Sequence, residues 1–90
     1  MAEVLIKIKV MPEDAETDIN KVLEACNKKA TEQGATIAQH EIQPIAFGLN
    51  ALILIVISDE SKGITSLEEA LESIPEVSTI EVQDVRRAIG

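Results

Sequence analysis

The chain has 90 residues, 46% of them hydrophobic and 27% charged, which is enough for one folded domain (residues 1–90) with a modest core. Sixteen Asp and Glu against eight Lys and Arg give a formal net charge of −8, which disfavours binding to a nucleic-acid backbone. One Cys, one His, one Phe and no Trp or Tyr exclude an internal disulfide, a multi-histidine metal centre and an aromatic stacking platform.

The first predicted elements are a strand and a helix. The strand spans residues 3–10, where every second residue is apolar, and Pro12 interrupts it because proline has no amide hydrogen to donate. Thr17 or Asp18 caps the helix that follows, and Gly34 is the expected stop. The apolar residues with helical spacing are Ile19, Val22, Leu23, Cys26 and Ala30.

The middle of the chain predicts two strands separated by a loop. A weaker strand covers residues 36–43, and a loop follows between Pro44 and Gly48. The strongest strand covers residues 49–58 and is apolar on both faces, so we expect it in the centre of the sheet. One face carries Leu52, Leu54 and Val56, and the other carries Ile53, Ile55 and Ile57.

A second helix and a last strand complete the pattern. The helix is expected to begin at Thr65 or Ser66, because Ser66 and Glu69 have the spacing of a capping box, and to end before Pro75. The last strand spans residues 77–85 and leaves residues 86–90 as a short tail.

This order predicts an α+β ferredoxin-like βαββαβ sandwich, with a four-stranded antiparallel sheet and both helices on one face. The expected strand order is 4-1-3-2, which places the two most regular strands in the middle. We also expect the loop that carries Phe47 to lie beside the tail that carries Arg86 and Arg87.

The residues needed for covalent catalysis are scarce. Cys26 lies on the apolar stripe of the first helix, where a buried structural thiol is expected. His40 lies on a predicted strand, where a surface or half-buried histidine is more common than a general base. No glycine-rich phosphate loop occurs. We therefore predict no enzyme activity, no catalytic residue, no cofactor and no metal site.

Two features leave alternatives open. Phe47 is the only aromatic residue and stands in a loop, so it is either an exposed anchor for a partner or a small part of the core. The second apolar face of the strongest strand is either shielded by the stems of Lys7 and Lys9 or used as a docking or dimer surface.

Three segments together resemble a known family. Residues 9–13 read KVMPE, residues 44–49 read PIAFGL and residues 84–87 read DVRR. In the same order and spacing, these segments are similar to archaeal elongation factor 1-beta and to the C-terminal exchange domain of its eukaryotic counterpart.

The resemblance implies a guanine nucleotide exchange factor for the GTPase elongation factor 1-alpha, with a ferredoxin-like fold. It implies partner contacts at Phe47, with Ile45 and Gly48 beside it, and makes Arg86 and Arg87 candidates for electrostatic contact. The eukaryotic domain has a lysine next to its C-terminal residue, whereas this chain has Ile89 and Gly90 there.

We further expect a cytoplasmic protein with no signal peptide, no membrane contact and no direct contact with nucleic acid, because no apolar run approaches a membrane span. The alternative function is a ferredoxin-like regulatory module that binds a small metabolite and dimerises through its open sheet face. An acylphosphatase-like hydrolase is less consistent, because residues 11–17 contain neither arginine nor glycine.

Overall fold

The computed structural model describes residues 3–59 and 63–88, apart from the side chains of Phe47 and Ala88. Its elements are β1 (Glu3–Pro12), α1 (Ile19–Glu32), β2 (Thr36–Pro44), β3 (Asn50–Asp59), α2 (Ile64–Glu72) and β4 (Val77–Ala88), with one turn of 3-10 helix at Ala46–Gly48. Neither α1 nor α2, the helices of the described residues, is long and apolar enough to cross a membrane.

The four strands form one antiparallel sheet in the order β2-β3-β1-β4, which confirms the predicted ferredoxin-like topology. The central strand β1 pairs with β3 on one side and with β4 on the other. Its first residue, Glu3, lies opposite Asp59 and opposite Ala88. At the other end, Val10 lies opposite Leu52, and Pro12 lies opposite Val77.

The core lies between the helices and one face of the sheet. The alternation predicted in the first strand places Ile6, Ile8 and Val10 on that face, and all three are buried. Removal of this apolar area from water is the main stabilising contribution to such a small domain. The buried residues that pack with them include Leu52, Leu54 and Val56 of β3, Val22, Cys26 and Ala30 of α1, and Leu67 and Leu71 of α2.

The two helices begin in different ways. The carboxylate of Asp18, one of the two predicted caps, caps α1 by accepting a hydrogen bond from the backbone N–H of Asn20 at 3.0 Å. The capping box predicted for Ser66 and Glu69 is wrong, because α2 begins at Ile64 and Ser66 already lies inside its first turn. Gly63 precedes the helix with a φ of +81°, so the chain turns into α2 earlier than the side-chain spacing indicated.

The last strand is longer than its pattern predicted. The prediction that Arg86 and Arg87 lie in a short tail after the last strand is wrong, because both belong to β4 and lie opposite Leu5 and Val4 of β1. The backbone at the start of β1 supplies hydrogen-bonding partners there, so the strand continues although its side chains become charged.

The two helix starts can be compared by mutation. We expect Asp18→Ala to lower the free energy of unfolding by about 1 kcal/mol, because a backbone N–H loses its cap. Ser66→Ala serves as the control and is expected to change it by less than about 0.5 kcal/mol, since that exposed serine is no cap. Urea denaturation followed by circular dichroism measures both, and a larger loss for Ser66→Ala would contradict the observed helix start.

Candidate functional site

The loop between β2 and β3 has a defined backbone. The N–H of Ile45 donates to the carbonyl of Leu49 at 2.8 Å, which closes the loop across Ala46–Gly48. Gly48 has a φ of +77°, a conformation that residues with a side chain rarely adopt. A Cβ at Gly48 would lie 3.9 Å from the Cβ of Ala15, so this loop lies beside the β1–α1 linker. The backbone of Phe47 is therefore held in place by its neighbours.

Two further segments lie at the same end of the molecule. The N–H of Glu13 donates to the carbonyl of Glu76 at 3.0 Å, which joins the β1–α1 linker to the turn before β4. We call residues 13–17, 45–49 and 73–76 the loop end. Exposed carboxylates of Glu13, Asp14, Glu16 and Glu76 give it an acidic surface.

Within the loop end, Asp14 stabilises the linker. Its Oδ1 accepts hydrogen bonds from the backbone N–H of Glu16 at 2.9 Å and from the hydroxyl of Thr17 at 3.1 Å. Such an Asx turn holds the backbone in a fixed conformation without burying it. The linker against which the Phe47 loop lies is thus itself ordered by a local side chain.

The two arginines lie at the opposite end of the sheet. We call residues 3–5, 57–59 and 86–88 the arginine end. Arg86 is opposite Leu5 and Arg87 is opposite Val4, and because successive residues of a strand alternate, the two side chains project from opposite faces. The Nε of Arg86 donates to Oδ2 of Asp84 at 2.7 Å, and the Arg86 side chain is 78% exposed.

The expected proximity of Phe47 to Arg86 and Arg87 is wrong. β3 starts at the loop end with Asn50 and reaches the row of Arg86 at Ile57, seven residues later. At about 3.3 Å per residue, the two groups are separated by about 23 Å of extended strand. The cause is antiparallel pairing, which sets the start of β1 against the end of β3 and not against its start. The five predicted contact residues therefore form two groups.

The sheet face opposite the helices carries an apolar strip, as the alternation of β3 predicted. Ile55 and Ile57 are half-buried there, and Ile53 is only 7% exposed. Lys7 lies directly opposite Ile55 and Lys9 directly opposite Ile53, in positions where their stems can cover this strip. A shallow groove on the same face is lined by Leu5, Lys7, Ile55, Asp84 and Arg86.

Neither candidate nucleophile nor candidate base is placed for catalysis. Cys26 is fully buried, and desolvation raises the pKa of its thiol to about 12, so it stays protonated at neutral pH. His40 is exposed on the edge strand β2, opposite Leu54. Among residues 3–59 and 63–88, no group of three or more His, Cys, Asp or Glu side chains is arranged to hold a metal ion.

The burial of Cys26 predicts an unreactive thiol. With a pKa of about 12, only about one thiol in ten thousand is ionised at pH 8, and the thiolate is the nucleophile. We expect no reaction of the native protein with an aromatic disulfide reagent at pH 8, and reaction of one thiol per chain after unfolding in urea. Rapid labelling of the native protein would contradict the buried position of this side chain.

The chain matches the family model of the EF-1 guanine nucleotide exchange domain over residues 5–88. It is 39% identical over 89 residues to elongation factor 1-beta of Methanocella arvoryzae, covering 98% of this chain and 99% of that protein. It is 43% identical over 91 residues to elongation factor 1-beta of Methanothermobacter thermautotrophicus, covering 97% of this chain and 98% of that protein. The resemblance found in the sequence is confirmed.

Among solved structures, the chain is similar to the ACT domain from GTP pyrophosphokinase of Chlorobium tepidum. The TM-score is 0.65 with 15% sequence identity, covering 90% of this chain and 99% of that chain. At this identity the likeness shows a shared fold alone. It does not favour the alternative of a metabolite-binding regulatory module.

Proposed function

Because the chain belongs to the family of EF-1 guanine nucleotide exchange domains and is thus a guanine nucleotide exchange factor of translation, we propose that its target is elongation factor 1-alpha. The observation that carries the proposal is the family match over residues 5–88, which includes both the Phe47 loop and the two arginines. The proposal assigns residues 1–90 to this one domain and its action to the cytoplasm. The net charge of −8 favours a protein partner over RNA.

Exchange needs differential binding and no covalent chemistry. A factor that binds the nucleotide-free GTPase more tightly than the GDP-bound form weakens GDP binding by the same ratio. Each tenfold preference corresponds to about 1.4 kcal/mol. An inert Cys26 and an exposed His40 are compatible with this role, because the domain has only to present contact groups in fixed positions.

The separation of the predicted contacts has a consequence for how this domain engages its partner. Ile45, Phe47 and Gly48 belong to the loop end, and Arg86 and Arg87 to the arginine end, about 23 Å away along β3. The two groups thus act as separate contacts on the GTPase, one apolar and one cationic. The four-stranded sheet between them sets their spacing.

Each contact is suited to binding at low entropic cost. The hydrogen bond from Ile45 to Leu49 orders the loop before the partner binds, and Gly48 adopts its positive φ there without steric strain. At the other end, the pair between Arg86 and Asp84 is exposed, and such pairs contribute little to stability. Arg86 can therefore exchange Asp84 for an anionic group of the partner at small cost.

The direct test is release of a fluorescent GDP analogue from elongation factor 1-alpha, measured by stopped flow with and without the chain. We expect acceleration that saturates with protein concentration, and Phe47→Ala should reduce it at least about tenfold, as expected for a central aromatic anchor. If Phe47 is instead part of the core, Phe47→Ala should lower the free energy of unfolding by about 3–5 kcal/mol. No acceleration by the wild-type chain would refute the proposed target.

A second variant tests the cationic contact. Arg86→Gln should slow exchange about threefold to tenfold at low ionic strength, and the deficit should shrink as salt rises, because salt screens exposed charges. Lys28→Gln on the exposed side of α1 removes the same charge elsewhere and serves as the matched control. Equal effects of the two substitutions would show a general charge effect and no specific role for Arg86.

A further inference from the structure

Ile42 is an exposed hydrophobic residue that does not pack against the core. Its exposed fraction is 43%, and Val85 at 44% is the comparable large hydrophobic residue among those the structure describes. Both stand on edge strands, Ile42 on β2 near the loop end and Val85 on β4 near the arginine end. The partly buried residues that pack against the core include Ile19, Leu23 and Ile37, but not Ile42.

A groove with two apolar lining residues lies on the same side of the sheet as Ile42. Ile42 lies opposite Leu52 and His40 lies opposite Leu54, so both project to the helix side of the sheet. On that side, a groove between α1 and β2 is lined by Leu23, Glu24, Asn27, Ile37 and His40. Because α1 and β2 run in opposite directions, the start of α1 lies beside the end of β2. The half-buried Ile19 and Leu23 therefore extend the apolar surface toward Ile42.

The chain leads from Ile42 into the loop end. Ile42 lies two residues before Pro44, and Pro44 leads directly into the loop that Ile45 and Leu49 close. Ile45 and Leu49 are themselves half-buried. A single exposed isoleucine on a surface is ordinary. An exposed isoleucine between an apolar groove and the loop proposed to contact the partner is more consistent with a residue of a protein interface.

We propose that Ile42 and the α1–β2 groove form a second apolar contact for the same GTPase that the Phe47 loop engages. This rests on the proposed function. The occupant is an apolar ridge of the partner bordered by basic groups, because the carboxylates of Glu24, Asp14 and Glu16 flank the groove and the loop end. The contact at Ile42 adds affinity for the partner. The cationic contact at the arginine end is independent of it.

The test compares Ile42→Ser with Val85→Ser in the exchange assay, using the full chain and elongation factor 1-alpha loaded with a fluorescent GDP analogue. Both substitutions remove an equally exposed β-branched side chain from an edge strand. We expect Ile42→Ser to raise the protein concentration for half-maximal exchange about fivefold to tenfold with an unchanged maximal rate, whereas Val85→Ser leaves both within twofold. Ile42→Val should recover most of the loss.

The outcomes separate this inference from the function on which it rests. If the wild-type chain accelerates release and Phe47→Ala is defective while Ile42→Ser matches Val85→Ser, the groove contact is wrong and the exchange role stands. Thermal melting of each variant identifies a defect caused by unfolding, and a defect in Ile42→Ser that Ile42→Val does not correct also overturns the proposal. Sedimentation of the wild type and Ile42→Ser tests whether the side chain instead joins two copies of this chain, which would equally overturn it.

Discussion

The structure depends on the position of β1 between β3 and β4, antiparallel to both. One face of β1 carries Ile6, Ile8 and Val10, all buried, so a shift of one residue in register would turn this set away from the core. The hydrophobic effect thereby fixes both pairings of β1 at once. The same pairings decide which loops share an end of the molecule, and they separate the Phe47 loop from Arg86 and Arg87.

A sheet with a fixed register suits a protein that acts by binding a partner. The residues proposed as contacts lie in the loop before β3 and at the end of β4, so their backbone positions follow from the sheet register and from short hydrogen-bonded loops. Cys26, the most reactive side chain by type, is enclosed in the core, where its pKa of about 12 keeps it neutral. The scaffold therefore supplies fixed spacing, while the preference for one nucleotide state of a GTPase arises at the interface.

The sequence patterns correctly predicted the features that depend on residues close together in the chain. Alternation in β3 correctly placed Leu54 and Ile55 on opposite faces of the sheet, because the strand period is a property of the backbone, and the structure shows that Leu54 faces the helices. The spacing of Ser66 and Glu69 fits a capping box, yet α2 begins earlier, because Gly63 adopts a positive φ that no side-chain motif reveals. The continuation of β4 through Arg87 depended on a partner strand that lies far away in the sequence.

The exposure of Ile42 was equally hidden from local patterns, because its pairing with the buried Leu52 puts it on the helix side of the sheet, yet its side chain is 43% exposed. By itself, the 90-residue acidic sequence determined the fold class, the apolar faces of its strands and the family, since these depend on periodicity and on residues close together in the chain. The tertiary structure alone decided which segments meet at each end of the sheet. Pairing between distant strands follows from antiparallel direction and core packing, which no short stretch of sequence contains.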